Sequence, residues 1–353
     1  MHRSDTGLAF LLQYENIAWY EDGKVRILDR RIYPKVEYVT CASHGEVAKA
    51  ITDMVTQSAG PFTAGAMGMA LAAYECREKP EKEQLLYLER AAETITNARP
   101  TTKDRMQRIT SGCLEAAKRA LSAGDDVSAA IVNHAILTNN LRYDKIERVA
   151  GYLVDMIPNN GKVLTQCFGE TIVGQMLKVA RNRNKDLKVY CAETRPYFQG
   201  ARLTASVVCD MGFDVTVITD NMPAFAMQQE KIDVYTSAAD VICMDGHVVN
   251  KVGTFQIAIV AKYLGIPYFV TGAPEKSHPG LDSVHIEMRD PSFTLQAMGA
   301  KTAMEGVNGY YPAFDITPPH LVSGVVTNHG VYAPYDLQRY FEHADVGEFD
   351  IVV

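Results

Sequence analysis

The sequence predicts an α/β protein: a doubly wound parallel sheet preceded by a smaller, mainly helical domain that opens on a β-hairpin. Three observations predict it. Between residues 162 and 271, short β-branched apolar runs alternate with helical stretches, the pattern of right-handed βαβ crossovers. From residue 43 to about 145, apolar residues recur with the helical period instead. Before residue 42, apolar and polar residues alternate around Asp22-Gly23, a hairpin turn signal. The expected domains are residues 1–145 and, over 146–353, a Rossmann-like α/β domain.

The elements follow in order. LLQYENIAWYEDGKVRILD supplies the strands of the hairpin. Ser43 and Glu46 have capping-box spacing ahead of VAKAITDMV. Helical periodicity continues through GAMGMALAAYECR, EQLLYLERAAETI, RMQRITSGCLEAAKRAL and SAAIVNHAIL, punctuated by Pro80, Arg99-Pro100 and Gly124. In the second half the runs KVLTQ (162–166), KVYCA (188–192), DVTVIT (214–219), DVYTS (233–237) and PYFVT (267–271) read as strands. Helices are expected over 169–182, 196–212, 222–230 and 253–264. VICMDGHVVNK reads as a further hairpin turning at Asp245-Gly246.

Composition bounds the function. A chain of 353 residues has room for about two domains. With 47% hydrophobic and 22% charged residues it builds a core and is not low-complexity. The net charge is −7 and basic residues cluster no further than pairs such as Arg30-Arg31, so no nucleic-acid partner is expected. No run approaches the roughly 18 apolar residues of a membrane span, and MHRSDTGLAF is no secretory signal. The expectation is a cytoplasmic protein without membrane contact. Seven cysteines contain no CxxC pair and nine histidines no HExxH spacing. Neither a disulfide framework nor a metal site is expected.

In open parallel sheets, ligands bind beyond the carboxyl ends of the strands. Four of the five ends carry a chemically active group: Cys167, Arg195, Asp220-Asn221 and Asp240. Helix capping accounts for Asp220-Asn221, but poorly for Cys167 and Arg195. Cys167 would lie just before a helix N-terminus, where backbone N–H groups favour a thiolate or a bound phosphate. Asn250-Lys251 precedes the helix expected from Gly253, an arrangement suited to an oxyanion or phosphate. The turn Cys167-Phe168-Gly169 through Gly174 is neither G-x-G-x-x-G nor a Walker A loop, so no nucleotide cofactor is expected.

The strings CAETRPYFQGARLTA (191–205), VTVITDNMPAFAM (215–227), AADVICMDGHVVNKVGT (238–254) and YYPAFDITP (310–318) carry a resemblance that covers nearly the whole chain. The sequence resembles the S-methyl-5-thioribose-1-phosphate isomerase family. That family shares a superfamily with ribose-1,5-bisphosphate isomerase and the regulatory subunits of translation initiation factor two B. The resemblance implies an aldose–ketose isomerase of methionine salvage with Cys167 and Asp240 as its catalytic pair. It also implies substrate contacts from Arg99, Gln199, Asn250 and Lys251, a phosphorylated pentose as substrate, a homodimer and no cofactor.

The chemistry gives that pair a rationale. With phosphate on the anomeric oxygen, the sugar ring cannot open by losing an anomeric hydroxyl proton. An acid at the ring oxygen is required, and hydrogen must then move from C2 to C1. A carboxyl in apolar surroundings stays protonated near neutral pH, and the neighbours of Asp240 suggest such surroundings. Cys167, as thiolate or thiol, would take the C2 proton or stabilise the developing charge.

Three departures from the family pattern bear on the substrate. Gln57 stands where the family has a phosphate-gripping Arg in an Arg-Gly-Ala-Pro loop, a loss of roughly 1.5–3 kcal/mol of binding unless replaced. Thr102-Lys103-Asp104-Arg105 replaces an apolar, Asn-containing stretch, so Lys103 or Arg105 offers a replacement charge. Gly272 to His278 also differs. Two alternatives therefore stand beside the methylthio sugar. One is another pentose 1-phosphate, 5-deoxyribose 1-phosphate or ribose 1,5-bisphosphate. The other is a non-catalytic sensor of sugar phosphates or nucleotides.

Overall fold

A computed structural model describes residues 3–99 and 103–343. They form two compact units, one running to Asp144 and the other beginning at Lys145.

The first unit opens with α1 (Tyr14–Ile17), β1 (Ala18–Glu21) and β2 (Lys24–Leu28). The two strands pair antiparallel across Asp22-Gly23, both at positive φ (48° and 73°), as a tight hairpin turn requires. β3 (Tyr38–Cys41) pairs with β2. Five helices follow: α2 (His44–Thr52), α3 (Gly60–Cys76), α4 (Glu81–Thr96), α5 (Lys103–Ala123) and α6 (Val127–Asp155). Ser43 caps α2 by accepting from the Glu46 N–H at 3.2 Å. α3 is buried on nearly every face, as a helix apolar all round must be. Its glycines make this possible: a Cβ on Gly65 would lie 2.7 Å from the Met106 sulfur, and one on Gly68 2.9 Å from Val47. α6 continues through residue 145 to Asp155.

The second unit is built on a mostly parallel sheet. Its elements are β4 (Lys162–Gln166), α7 (Glu170–Asn182), β5 (Lys188–Ala192), α8 (Ala205–Asp210), β6 (Asp214–Ile218), α9 (Pro223–Gln229) and β7 (Val234–Ala238). β8 (Val241–Ile242), β9 (Val248–Lys251), α10 (Thr254–Tyr263) and β10 (Tyr268–Thr271) follow. After an excursion with the small hairpin β11 (Gln296–Ala297) and β12 (Ala300–Lys301) come β13 (Phe314–Thr317), β14 (Gly324–Thr327), β15 (Gly330–Tyr332) and α11 (Tyr340–His343). Among the described residues the main sheet runs β15-β14-β10-β7-β4-β5-β6, with only β15 antiparallel to its neighbour. From β4 the chain builds outward through β5 and β6, then returns to lay β7 and β10 on the other side. The switch point lies between β4 and β7. Its core holds Leu164, Tyr190, Tyr235, Tyr268 and Val270, all buried.

A second sheet, β13-β9-β8, is antiparallel. β8 and β9 form the hairpin at Asp245-Gly246. β13 pairs with β9 so that Asp315 faces Asn250 and Phe314 faces Lys251.

Two sequence expectations change here. The helix expected over 196–212 shrinks to a π-type turn (Gly200–Thr204) and α8. Residues 193–199 form a loop because Thr194 and Phe198 take positive φ (64° and 55°), and the Asp220 carboxylate holds its backbone. The sequence predicts no strand beyond residue 271, yet β13, β14 and β15 lie there. Such three- and four-residue strands are too short for a period-2 pattern to stand out.

Candidate active site

Cys167 and Asp240 follow the carboxyl ends of β4 and β7, the strands flanking the switch point. The register pairs Val163 with Val234 and Leu164 with Tyr235, which sets Cys167 level with Ala238, two residues before Asp240. A Cβ on Gly169 would lie 3.3 Å from that of Ala238, so the two turns are closely apposed.

The Cys167 backbone is fixed from both sides. Its N–H donates to the Thr194 hydroxyl at 2.8 Å, and its carbonyl accepts from the Thr204 hydroxyl. Cys167 itself has a left-handed φ of 60°, a conformation that costs energy for a non-glycine residue and recurs at functional sites. Thr194 is held in turn: Asp220 accepts from the N–H groups of Thr194 (2.8 Å) and Arg195 (2.7 Å). Asp220 therefore does not cap α9, whose first turn has no side-chain cap. It ties the end of β5 to the end of β6. The Arg195 guanidinium donates to the carbonyl of Gln296 at 2.8 Å.

Gln199 begins the π-type turn and is buried, and its Oε1 has no hydrogen-bond partner. Gly200 is obligatory beside it: a Cβ there would lie 1.8 Å from the Ala192 carbonyl oxygen. Asn250 and Lys251 are also buried, so Lys251 is not a solvated surface lysine. Asn250 donates to the Thr254 hydroxyl at 3.0 Å, and the Lys251 ammonium to the Ala313 carbonyl at 2.8 Å. Gln166 donates to the Lys251 carbonyl at 3.0 Å, joining β4 to β9.

Electrostatics tie these groups together. Burial pushes the Cys167 thiol up to about 11, Lys251 and Arg289 pull it down, and Asp240 pushes it up. Asp240, Lys251 and Arg289 thus all act on Cys167. Burial is the largest influence, ahead of both cations and the adjoining N–H group, and favours the neutral thiol of the two states the sequence leaves open. The apolar enclosure expected around Asp240 is likewise not found. Its residue is exposed, because the apolar side chains that follow it in β8 turn into the sheet, with Ile242 buried.

Arg99 belongs to the first unit, where it is half-buried shortly after α4. Pro100, Thr101 and Thr102 lie outside the described residues. Gln57 is buried in that unit, and its carbonyl accepts from the buried Arg30 guanidinium at 2.6 Å. Lys103 is exposed at the start of α5, and Arg105 is half-buried.

Sequence reasoning missed Thr194, Thr204, Arg289, Tyr311 and Asp315. Asp315 accepts from the N–H groups of Gly253 (2.6 Å) and Phe255 (3.2 Å), so it organises the start of α10 just after Asn250-Lys251. Burial raises its carboxyl to about 6. Thr194, Thr204, Tyr311 and Asp315 all stand in the quoted strings of resemblance, which was the available signal. Arg289 lies in the aperiodic segment after β10, and no local pattern marks it. Among the described residues, no group of three His, Cys, Asp or Glu is placed to hold a metal ion. No helix among them is long and apolar enough to cross a membrane.

Comparison with known proteins finds relatives over most of the chain. Residues 58–334 match the model of the initiation factor 2 subunit family. The methylthioribose-1-phosphate isomerase of Roseiflexus castenholzii is 34% identical over 340 residues, covering 90% of this chain and 95% of the relative. That of Fervidobacterium nodosum is 34% identical over 354 residues, covering 94% and 99%. Among solved structures, the 5-methylthioribose 1-phosphate isomerase of Pyrococcus horikoshii OT3 superposes with a TM-score of 0.81 at 28% identity, covering 93% of this chain and 96% of that one. Translation initiation factor eIF-2B subunit delta from A. fulgidus gives 0.79 at 28% identity, covering 90% and 96%.

Proposed function

The chain belongs to the initiation factor 2 subunit family, and on that premise we propose that it is the aldose–ketose isomerase converting S-methyl-5-thioribose 1-phosphate to S-methyl-5-thioribulose 1-phosphate, a step of methionine salvage. The observation that carries this reading is the placement of Cys167 and Asp240 at adjacent strand ends on the switch point, where open α/β sheets bind ligands. A purely binding member of the family has no need of that pair.

The raised Cys167 thiol and the exposure of Asp240 support an exchange of the roles expected from sequence. Cys167, held as a thiol, is the proton donor, and the Asp240 carboxylate is the acceptor. The thiol proton goes to the ring oxygen as the C1–O ring bond breaks. Asp240 takes the proton from C2, and the C2–H electron pair forms the C1–C2 double bond of an enediol phosphate. Asp240, exposed to solvent, exchanges that proton with water and then protonates C1. The C2 hydroxyl proton goes back to the Cys167 thiolate as the ketone forms, so both residues end as they began. Lys251 and Gln199 hold the sugar phosphate's oxygens, Asn250 braces the start of α10, and Arg99 is assigned to the phosphate. The active species is a homodimer in the cytoplasm.

The test is ketose formation from methylthioribose 1-phosphate in deuterium oxide. One solvent deuteron at C1, with activity lost in Cys167→Ser and Asp240→Asn, is the expected result. An unlabelled ketose would replace the enediol by a hydride shift. Turnover only of a 5-deoxy or 5-phospho analogue would move the substrate. Binding without turnover of any pentose 1-phosphate would leave the sensor reading.

A further inference from the structure

A buried hydroxyl without a well-formed hydrogen bond is costly, and one that lies within a candidate site calls for an explanation. Tyr311 is such a residue. It is 2% exposed, and its hydroxyl makes no hydrogen bond of normal geometry, although the Arg289 guanidinium acts on it. Its ring lies in the site already described: 6.3 Å from the ring of Tyr197, two residues before Gln199, and 6.0 Å from the Lys251 ammonium. Gln199 contributes a buried acceptor with no hydrogen-bond partner, its Oε1.

Arg289 completes the group. Its backbone N–H donates to the Tyr311 backbone carbonyl at 2.9 Å, and its guanidinium lies 6.0 Å from the Tyr197 ring and 5.8 Å from the Phe314 ring. The Lys251 ammonium lies 4.8 Å from that same Phe314 ring. Two largely buried cations thus converge on one aromatic side chain. Glu287 balances one of them, through the Arg289 Nε at 2.8 Å. A hydroxyl donor, an amide acceptor and two cations, with Asp315 acting on Lys251 as Glu287 does on Arg289, together suit a polyol carrying an anionic group.

We propose that Tyr311 and Arg289 bind the substrate directly, the Tyr311 hydroxyl bonding an oxygen of the sugar phosphate and the Arg289 guanidinium selecting its charge. This rests on the function proposed above and adds two contacts to it. Burial pushes the Tyr311 hydroxyl up to about 12, so it remains a donor at any working pH.

The experiment compares full-length wild type, Tyr311→Phe and Arg289→Lys. Initial rates are measured with methylthioribose 1-phosphate, and melting temperatures with and without that compound. Tyr311→Phe removes only that buried hydroxyl, so without ligand it melts at or above the wild-type temperature. Its kcat/KM falls about tenfold or more, and its ligand-induced melting shift shrinks. Arg289→Lys keeps a charge and loses the fork, so KM rises about tenfold with kcat within about twofold. Wild-type kcat/KM and a full ligand shift in Tyr311→Phe would overturn the assignment of Tyr311 while leaving the isomerase reading intact. If Tyr311→Phe is instead destabilised, Arg289→Lys decides, and a wild-type KM there overturns the proposal. A shift in wild type that is lost in Tyr311→Phe supports it even without turnover. Wild type neither turning over nor stabilised by the sugar phosphate ends both readings.

Discussion

The neutral thiol at Cys167 has a measurable consequence in its alkylation by iodoacetamide. Only the thiolate reacts, so the rate follows the thiolate fraction. Burial is the largest influence on this thiol and moves it from near 9 to about 11, against the pull of Lys251 and Arg289. That rise corresponds to about a hundredfold fewer thiolates at a given pH below both values. Peptide mapping by mass spectrometry separates Cys167 from the exposed Cys209, the internal check that reagent is active. Between pH 7 and 9.5 the Cys167 rate should climb about tenfold per pH unit without levelling. Lys251→Met removes the largest favourable charge and should slow it further at each pH. The sign for stability follows: a folded value above the unfolded one favours the fold below pH 9, and that contribution is lost as pH rises toward 11. A Cys167 rate that levels off below pH 8.5 would refute the dominance of burial and restore the thiolate.

Asp315 should give the fold a second pH signature. Its folded value of about 6 lies above an unfolded value near 3.8, under the influence of burial and against Lys251 and two backbone N–H groups. The folded state therefore holds a proton that the unfolded state releases between those values. This group's contribution falls by up to about 3 kcal/mol as pH rises from 4 to 7. Urea unfolding of wild type and Asp315→Asn should show a difference that changes across this range, and parallel curves would reject it. Gly200→Ala places a Cβ 1.8 Å from a backbone carbonyl. It should cost about 3 kcal/mol or more in urea unfolding, and an unchanged midpoint would count against the close approach of Gly200 to Ala192. Asp220→Asn replaces a carboxylate that accepts two backbone N–H groups. It should cost roughly 1.5–3 kcal/mol and lower kcat by displacing Thr194 from Cys167. Unchanged kcat and stability would show that Asp220 does not support the site.

The five long strand runs and most helices were legible because each has a period that its burial enforces. KVLTQ and KVYCA are buried along nearly their whole length, so they read as continuous apolar runs. α3 read as a helix because no other element tolerates so long an apolar, glycine- and alanine-rich stretch. Residues 196–199, expected at the start of a helix, are loop because the backbone just before them is held by Asp220, which follows the next strand. β13 to β15 were invisible for a related reason: their pairing partners, not their own few residues, make them strands.

For the site, chain order and residue type were enough to place Cys167, Asp240, Asn250 and Lys251 at the ends of elements. The sequence by itself determined which strand ends carry chemistry, because side-chain identity and element period are local properties. Only the tertiary structure decided the state and company of those groups. The thiol rather than thiolate at Cys167, the exposure of Asp240, and the convergence of Arg289 and Tyr311 with Lys251 depend on desolvation and Coulomb fields summed over residues far apart in the chain. No local pattern encodes such sums.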